Sequence, residues 1–213
     1  MPAVMAPHVT FEHGDDLRRL ASARRDRVRF VTLPPARFLV IDGTEVPGSP
    51  EYIEAIGALF GTAYRLHFLL KGRGVSEPVG MLEALYWFTP EELLGSETTG
   101  VDSGGSRDWR WRLLIAVPNA TTRDEVAVAA RSGKRSPWEE RIVLDDWTEG
   151  PSAQILHVGP YGDEAPPIRK LHAAIAAAGL RPNGPHHEIY LNDPHRVGED
   201  RARTVLRQPV IQR

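Results

Sequence analysis

"SAQILHVGPYGDEAPPIRKLHAAIAAAGL", Ser152 to Leu180, holds a complete strand-to-helix unit and decides how the rest of the chain is divided. Its first residues read as a strand that stops at a Gly-Pro turn. Pro166 and Pro167 then fall in the first turn of a helix, where a missing N–H costs nothing, and Gly179 stands just past its end. Two more strands follow, "HHEIYLND" from His186 and "RTVLRQPVI" from Arg203. Upstream the same order is met once already. "ARFLVIDGTE" (Ala36 to Glu45) is a strand closed by an Asp-Gly turn, and a helix runs from about Pro50 to Leu70. That helix carries Ile53, Ile56, Phe60, Ala63 and His67 at spacings of three and four, and it stops at the glycines of "KGRG". "VGMLEALYWF" (Val79 to Phe88) and "WRWRLLIAVP" (Trp109 to Pro118) are its two following strands.

Strand, helix, strand, strand thus occurs twice, at about 36–118 and about 152–211. The separation is far beyond a solenoid period and suggests two βαββ half-domains of an α+β fold. Each half can lay its helix on one side of an antiparallel sheet, which makes the junction a natural ligand cleft. Between the halves, "TTRDEVAVAARSGK" predicts a helix with a Thr122/Glu125 capping box, and "RIVLDDWTEG" a weaker strand. Residues 1–32 form an N-terminal extension with a short charged helix at Asp15 to Arg27, and residues 33–213 form the domain proper. "GSETTGVDSGGSRD" reads as an exposed loop.

Composition excludes several functions. The chain has 213 residues and a formal charge of -2, so it presents no overall positive field for nucleic acid or acidic lipid. With no cysteine, thiolate nucleophiles, iron–sulfur clusters and Cys-type zinc sites are ruled out. The N-terminus shows no signal-peptide pattern and no run is long and apolar enough to span a bilayer, which predicts a cytoplasmic protein. Direct nucleic-acid binding and membrane association are not expected, and no cofactor is implied.

Alternation along "HHEIYLND" puts His186, Glu188 and Tyr190 on one face of a strand and His187, Ile189 and Leu191 on the other. Adjacent histidines therefore cannot both join Glu188 on a metal, which would have to recruit His157 or His172 instead. With Ile189 and Leu191 assigned to the helix side, Glu188 is expected to face away from it. By eye, Glu83 of the first half falls opposite Glu188 of the second. Tyr64, Tyr86, Trp87, Trp109, Trp111, Tyr161 and Tyr190 lie on elements adjoining the expected junction. Large rings ordinarily fill cores, but as a set flanking two carboxylates they also describe a site for a planar aromatic or cationic small molecule.

These stretches, with "FLVIDG", "AYRLHFLLK", "LEALYWF", "ILHVGPYGDEAPPIRKLH", "HHEIYLNDP" and "VLRQPV", resemble the GyrI-like small-molecule-binding family of the GyrI/SOUL effector-binding superfamily, from about Leu33 to the C-terminus. The sequence departs from that pattern at "TEVPGSP", Ala84 and Tyr86. The resemblance implies pseudo-twofold βαββ halves with a ligand cleft at their junction. It also implies one of two roles. The first is a bacterial detoxifying hydrolase that opens the cyclopropane of cyclopropanoid cyclopentadienone DNA-alkylating compounds. The second is a non-catalytic effector-binding, multidrug-sequestering or gyrase-modulating protein. For the enzyme, Glu188 is the expected general base and Tyr64 the family-consistent hydroxyl. Glu83, Trp87, Trp109, Trp111, His157, Tyr161 and Tyr190 are the expected ligand contacts. About 35 residues before the first strand is short for a helix-turn-helix reader, so a stand-alone binding domain is expected.

Overall fold

A computed structural model describes residues 9–14, 22–87, 109–133 and 136–213. In chain order its strands are β1 (Glu12–His13), β2 (Arg29–Leu33), β3 (Ala36–Gly43), β4 (Leu82–Tyr86), β5 (Trp111–Val117), β6 (Val143–Trp147), β7 (Gly150–Val158), β8 (Leu180–Pro182), β9 (His186–Tyr190) and β10 (Arg203–Gln212). Helices of two turns or more are α1 (Pro50–Gly72), α2 (Arg123–Arg131) and α3 (Ala165–Ala177). The chain is a mixed α+β protein that divides into two compact units. One holds residues 35–86 and 105–148, the other 1–34, 87–104 and 149–213.

In the first unit β4, β5, β3 and β6 form an antiparallel sheet in that order. Helix α1 starts where Ser49 accepts a hydrogen bond from Tyr52 N and ends before Gly74, whose φ of 90° suits only glycine without strain. It buries Tyr52, Ala55, Leu59, Ala63, Leu66 and Leu70. The stripe read from the sequence is thus largely the wrong one, since Ile53 is 52% exposed. Both stripes repeat every three to four residues, and periodicity alone does not say which meets the sheet. The capping box of α2 forms as expected, with Thr122 N donating to Glu125 Oε2 at 2.8 Å and Glu125 N to Thr122 Oγ1 at 3.3 Å.

In the second unit the order is β1, β2, β7, β10, β9, antiparallel except for the parallel pair β1 and β2, with β8 on the far end of β10. Strand β2 belongs to this sheet through its pairing with β7. Helix α3 lies on one side, where Ile168, Leu171 and Ile175 meet Ile155, Leu206 and Val210. Both units carry the predicted strand–helix–strand–strand order, and in each the strand before the helix pairs with the last strand, which pairs with the middle one. Of the expected N-terminal helix, residues 15–21 lie outside the described residues and residues 22–27 are not helical. The Gly/Ser-rich loop at 95–108 also lies outside them.

Candidate functional site

Register fixes what each face of β9 meets. Glu188 pairs with Leu206, and Leu206 pairs with Ile155, so all three side chains share the face covered by α3. The expectation for this strand is therefore reversed. Ile189, buried, turns away from α3, while His186, Glu188 and Tyr190 turn toward it. The apolar contacts of α3 come from β7 and β10 instead, leaving β9 to supply polar groups near the helix's first turn.

These groups converge with residues just before α3. Tyr190 donates its hydroxyl to Glu188 Oε2 at 2.7 Å, and the Tyr161 ring meets the Tyr190 ring edge-on at 5.7 Å. Glu164, at the N-cap position of α3, is buried and shares a hydrogen bond with Glu188. His186 Nε2 lies 3.7 Å from Glu188 Oε1. His157 is held by a 2.9 Å contact between its Nε2 and the Pro160 carbonyl. Several atoms here are buried without a hydrogen-bond partner: Glu164 Oε1, both ring nitrogens of His186, His172 Nε2 and Thr204 Oγ1. Buried polar atoms are rarely left so, and their concentration on one face marks a site rather than a core.

Two carboxyls sharing a hydrogen bond in a buried place cannot both be ionised. Burial pushes Glu164 well above the usual carboxylate range, and Glu188 beside it pushes further. Burial also lifts Glu188 to about 7, against the pull of the Tyr190 hydroxyl, the Glu164 hydrogen bond and His187. We assign the proton to Glu164. A helix N-terminus favours its ionisation by only ~0.3–1 kcal/mol, whereas an unpaired buried carboxylate costs several kcal/mol. Glu164 makes no capping hydrogen bond to recover that cost. Glu188, with 13% of its side chain exposed, is the ionisable and reachable member. His186 is kept neutral, pushed down to about 3 by burial first and then by His172 and His187.

The opposite face of the same sheet carries a different buried glutamate. Glu149 accepts from Arg207 Nη1 and meets His187 Nδ1, both at 2.8 Å, and Arg207 Nε donates to Gln154 Oε1 at 2.9 Å. Burial alone would raise Glu149, but the charges and hydrogen bonds of His187 and Arg207 outweigh it and hold it at about 2.

Glu83 is buried on β4 with its partner Leu114, on the face turned away from α1. Glu83 and Glu188 therefore do not occupy corresponding faces, contrary to the correspondence expected from the sequence. Trp111 is fully buried under α1, its ring edge-on to Tyr52 at 5.0 Å and its Nε1 donating to the Glu45 carbonyl at 2.8 Å. Trp109 meets the Tyr86 ring at 6.4 Å. Tyr64 lies on the outer face of α1, 53% exposed and stacked on Phe60. Trp87 is half-buried just past β4. The second unit thus brings together Glu188, Tyr190, Tyr161 and His157. Glu164 and Glu149 escaped sequence reasoning, which placed His186 on the face of Glu188 without giving it a part in the site. The only signal for Glu164 was an acidic residue directly before the Ala-Pro-Pro helix start. Among the described residues no group of three or more His, Cys, Asp or Glu is placed to hold a metal ion, and no helix is long and apolar enough to cross a membrane.

Residues 117–211 match the model of the GyrI-like small molecule binding domain, which bears out the resemblance read from the sequence. The chain is similar to an uncharacterized conserved protein from Listeria innocua, at 27% identity and a TM-score of 0.78, covering 92% of this chain and 97% of that one. It is also similar to a hydrolase from Listeria innocua, at 26% identity and a TM-score of 0.76, covering 95% and 100%. An EcmrR–DNA complex is similar at 14% identity and a TM-score of 0.56, covering 88% of this chain and 58% of that one. That likeness shows the fold alone. A comparison with curated proteins gives no match.

Proposed function

We infer that this chain, carrying a GyrI-like small molecule binding domain over residues 117–211, hydrolyses a reactive small molecule at Glu188. The observation that carries the reading is a carboxylate lifted to about 7 while held by the Tyr190 hydroxyl at 2.7 Å. A base is most useful when its pKa lies near the working pH. Similarity to a Listeria hydrolase at 26% identity supports the reaction class.

The substrate class that fits the family resemblance is a cyclopropane fused to a cyclohexadienone or cyclopentadienone system. Glu188 takes a proton from water as the water oxygen bonds to a cyclopropane carbon. The strained C–C bond breaks, its electron pair enters the ring and the carbonyl oxygen becomes a phenolate, which is then protonated. Tyr190 donates to Glu188, so it positions the base rather than serving the oxyanion. Tyr161, whose ring meets Tyr190, and His157 are proposed ligand contacts.

The test is turnover of a duocarmycin-type compound by the purified protein and by Glu188→Gln. Formation of the ring-opened product that depends on Glu188 supports the reading, and turnover unaffected by the substitution overturns it. Binding without product favours the second reading, a non-catalytic binder. The carboxyl pair beside the Tyr161 and Tyr190 rings supports that alternative, because carboxylate and ring faces both attract a cation.

A further inference from the structure

Helix α1 has two apolar stripes, and only one is buried. Opposite the buried face, Ile53, Tyr64 and Phe68 are 52%, 53% and 66% exposed. Gly57 and Phe60 complete this second stripe, and at 3.6 residues per turn the five fall within an arc of about 80°. The Phe60 and Tyr64 rings stack at 6.4 Å. A helix face open to water ordinarily carries polar residues, and contiguous exposed apolar patches mark interaction surfaces.

The stripe is complementary to itself when reversed. Turned end for end about a point between Phe60 and Gly61, it sets Ile53 against Phe68 and Gly57 against Tyr64. A Cβ built at Gly57 would meet nothing within 4 Å, so the position is an open notch for the Tyr64 ring opposite. Charge follows the same symmetry. Exposed Glu54 flanks the stripe near its start, and Lys71 lies on it in the last turn. In a reversed pair each acidic end faces the other copy's basic end, whereas a parallel pair would set like charges together. Large against small and acid against base, about one centre, is the pattern of an isologous contact.

We propose that this face of α1 docks a second copy of the chain, the two helices lying antiparallel about a two-fold axis between Phe60 and Gly61. Rings fill the notches at Gly57, and Glu54 meets Lys71 in the partner helix's last turn.

The chain has no cysteine, so single introduced thiols report the geometry directly. Phe60→Cys, or Gly61→Cys as a second variant, places two thiols near the axis and is expected to give a covalent dimer under mild oxidation. Ile53→Cys alone places them about 22 Å apart, beyond disulfide reach, and is expected to stay uncrosslinked. Mixed with Phe68→Cys it is expected to crosslink. In sedimentation over a concentration series, Phe68→Glu should raise the dimer dissociation constant about tenfold or more. Glu54→Lys should weaken the dimer, and adding Lys71→Glu should restore it. A wild-type chain that stays monomeric throughout overturns the proposal. So does self-crosslinking of Ile53→Cys, which reports a parallel pair, or failure of both central variants to crosslink.

Discussion

Two glutamates, one with its side chain buried and one largely so, lie on opposite faces of one sheet, and they carry opposite electrostatics. Glu149 has Arg207 and His187 at 2.8 Å and is held at about 2. Glu188 has a hydroxyl, a second carboxyl and a neutral histidine about it and is lifted to about 7. Burial pushes both upward, so burial does not account for the difference. What differs is whether a cation is supplied on the same face. The Glu149 cluster pairs its charge with Arg207 and His187 and acts as a structural latch, while the Glu188 carboxyl has a second carboxyl and a hydroxyl beside it instead and stays chemically available.

The largest expected difference between the faces is in turnover. Removing a general base costs ~10²- to 10⁴-fold, so Glu188→Gln should abolish nearly all product formation while melting no earlier than wild type. Steady-state kinetics beside thermal denaturation checks both halves of this expectation. Glu149→Ala should do the reverse. It leaves Arg207 buried without its carboxylate, which costs ~3–5 kcal/mol, and the denaturant midpoint should fall accordingly. If Glu149→Ala folds as well as wild type but loses turnover, the latch assignment is wrong.

How much of this contrast was legible in the sequence turns on one residue of register. Period-two alternation correctly separated His186, Glu188 and Tyr190 from His187 and Ile189. It could not say which set meets the helix. Assigning the apolar set to α3 failed because the partner of Glu188 across the sheet is Leu206, and only strand pairing reveals that. The strand and helix order, the start of α3 and the Thr122 capping box depend on neighbours in sequence and were readable. Glu164 against Glu188, and Glu149 against Arg207, depend on residues far apart in the chain and were not. The misread stripe of α1 has the same cause, since two apolar faces were present and the sheet covers one.

Stability against pH separates the faces more gently. Glu188 binds its proton more tightly in the fold than its ordinary value of 4.5 allows, up to about 7. Folding therefore takes up a proton between those values, and stability falls as pH rises through the window. Glu149 moves the other way, from 4.5 to about 2. Its contribution is fully present above 4.5 and is lost as pH falls toward 2. Urea midpoints measured at stepped pH should show both slopes. Glu188→Gln should reduce the upper one, to which the raised Glu164 also contributes, and Glu149→Gln should flatten the lower. A single slope surviving both substitutions would place its source elsewhere.

The smallest expected effect tests whether the unpartnered atoms on the Glu188 side are there for use. Thr204 is buried with no partner for Oγ1, opposite Tyr190 in register. Replacing an unsatisfied hydroxyl by a methyl of similar shape removes a desolvation cost, so Thr204→Val should be neutral or stabilising by up to ~1 kcal/mol. On the other face Gln154→Leu removes the acceptor for Arg207 Nε and should cost ~1–3 kcal/mol. If Thr204→Val gains stability and loses turnover, its hydroxyl serves the ligand or the attacking water, and stability was given up there for function. If it gains stability with turnover intact, the hydroxyl has no part in the reaction and the site narrows to Glu188, Tyr190 and Glu164.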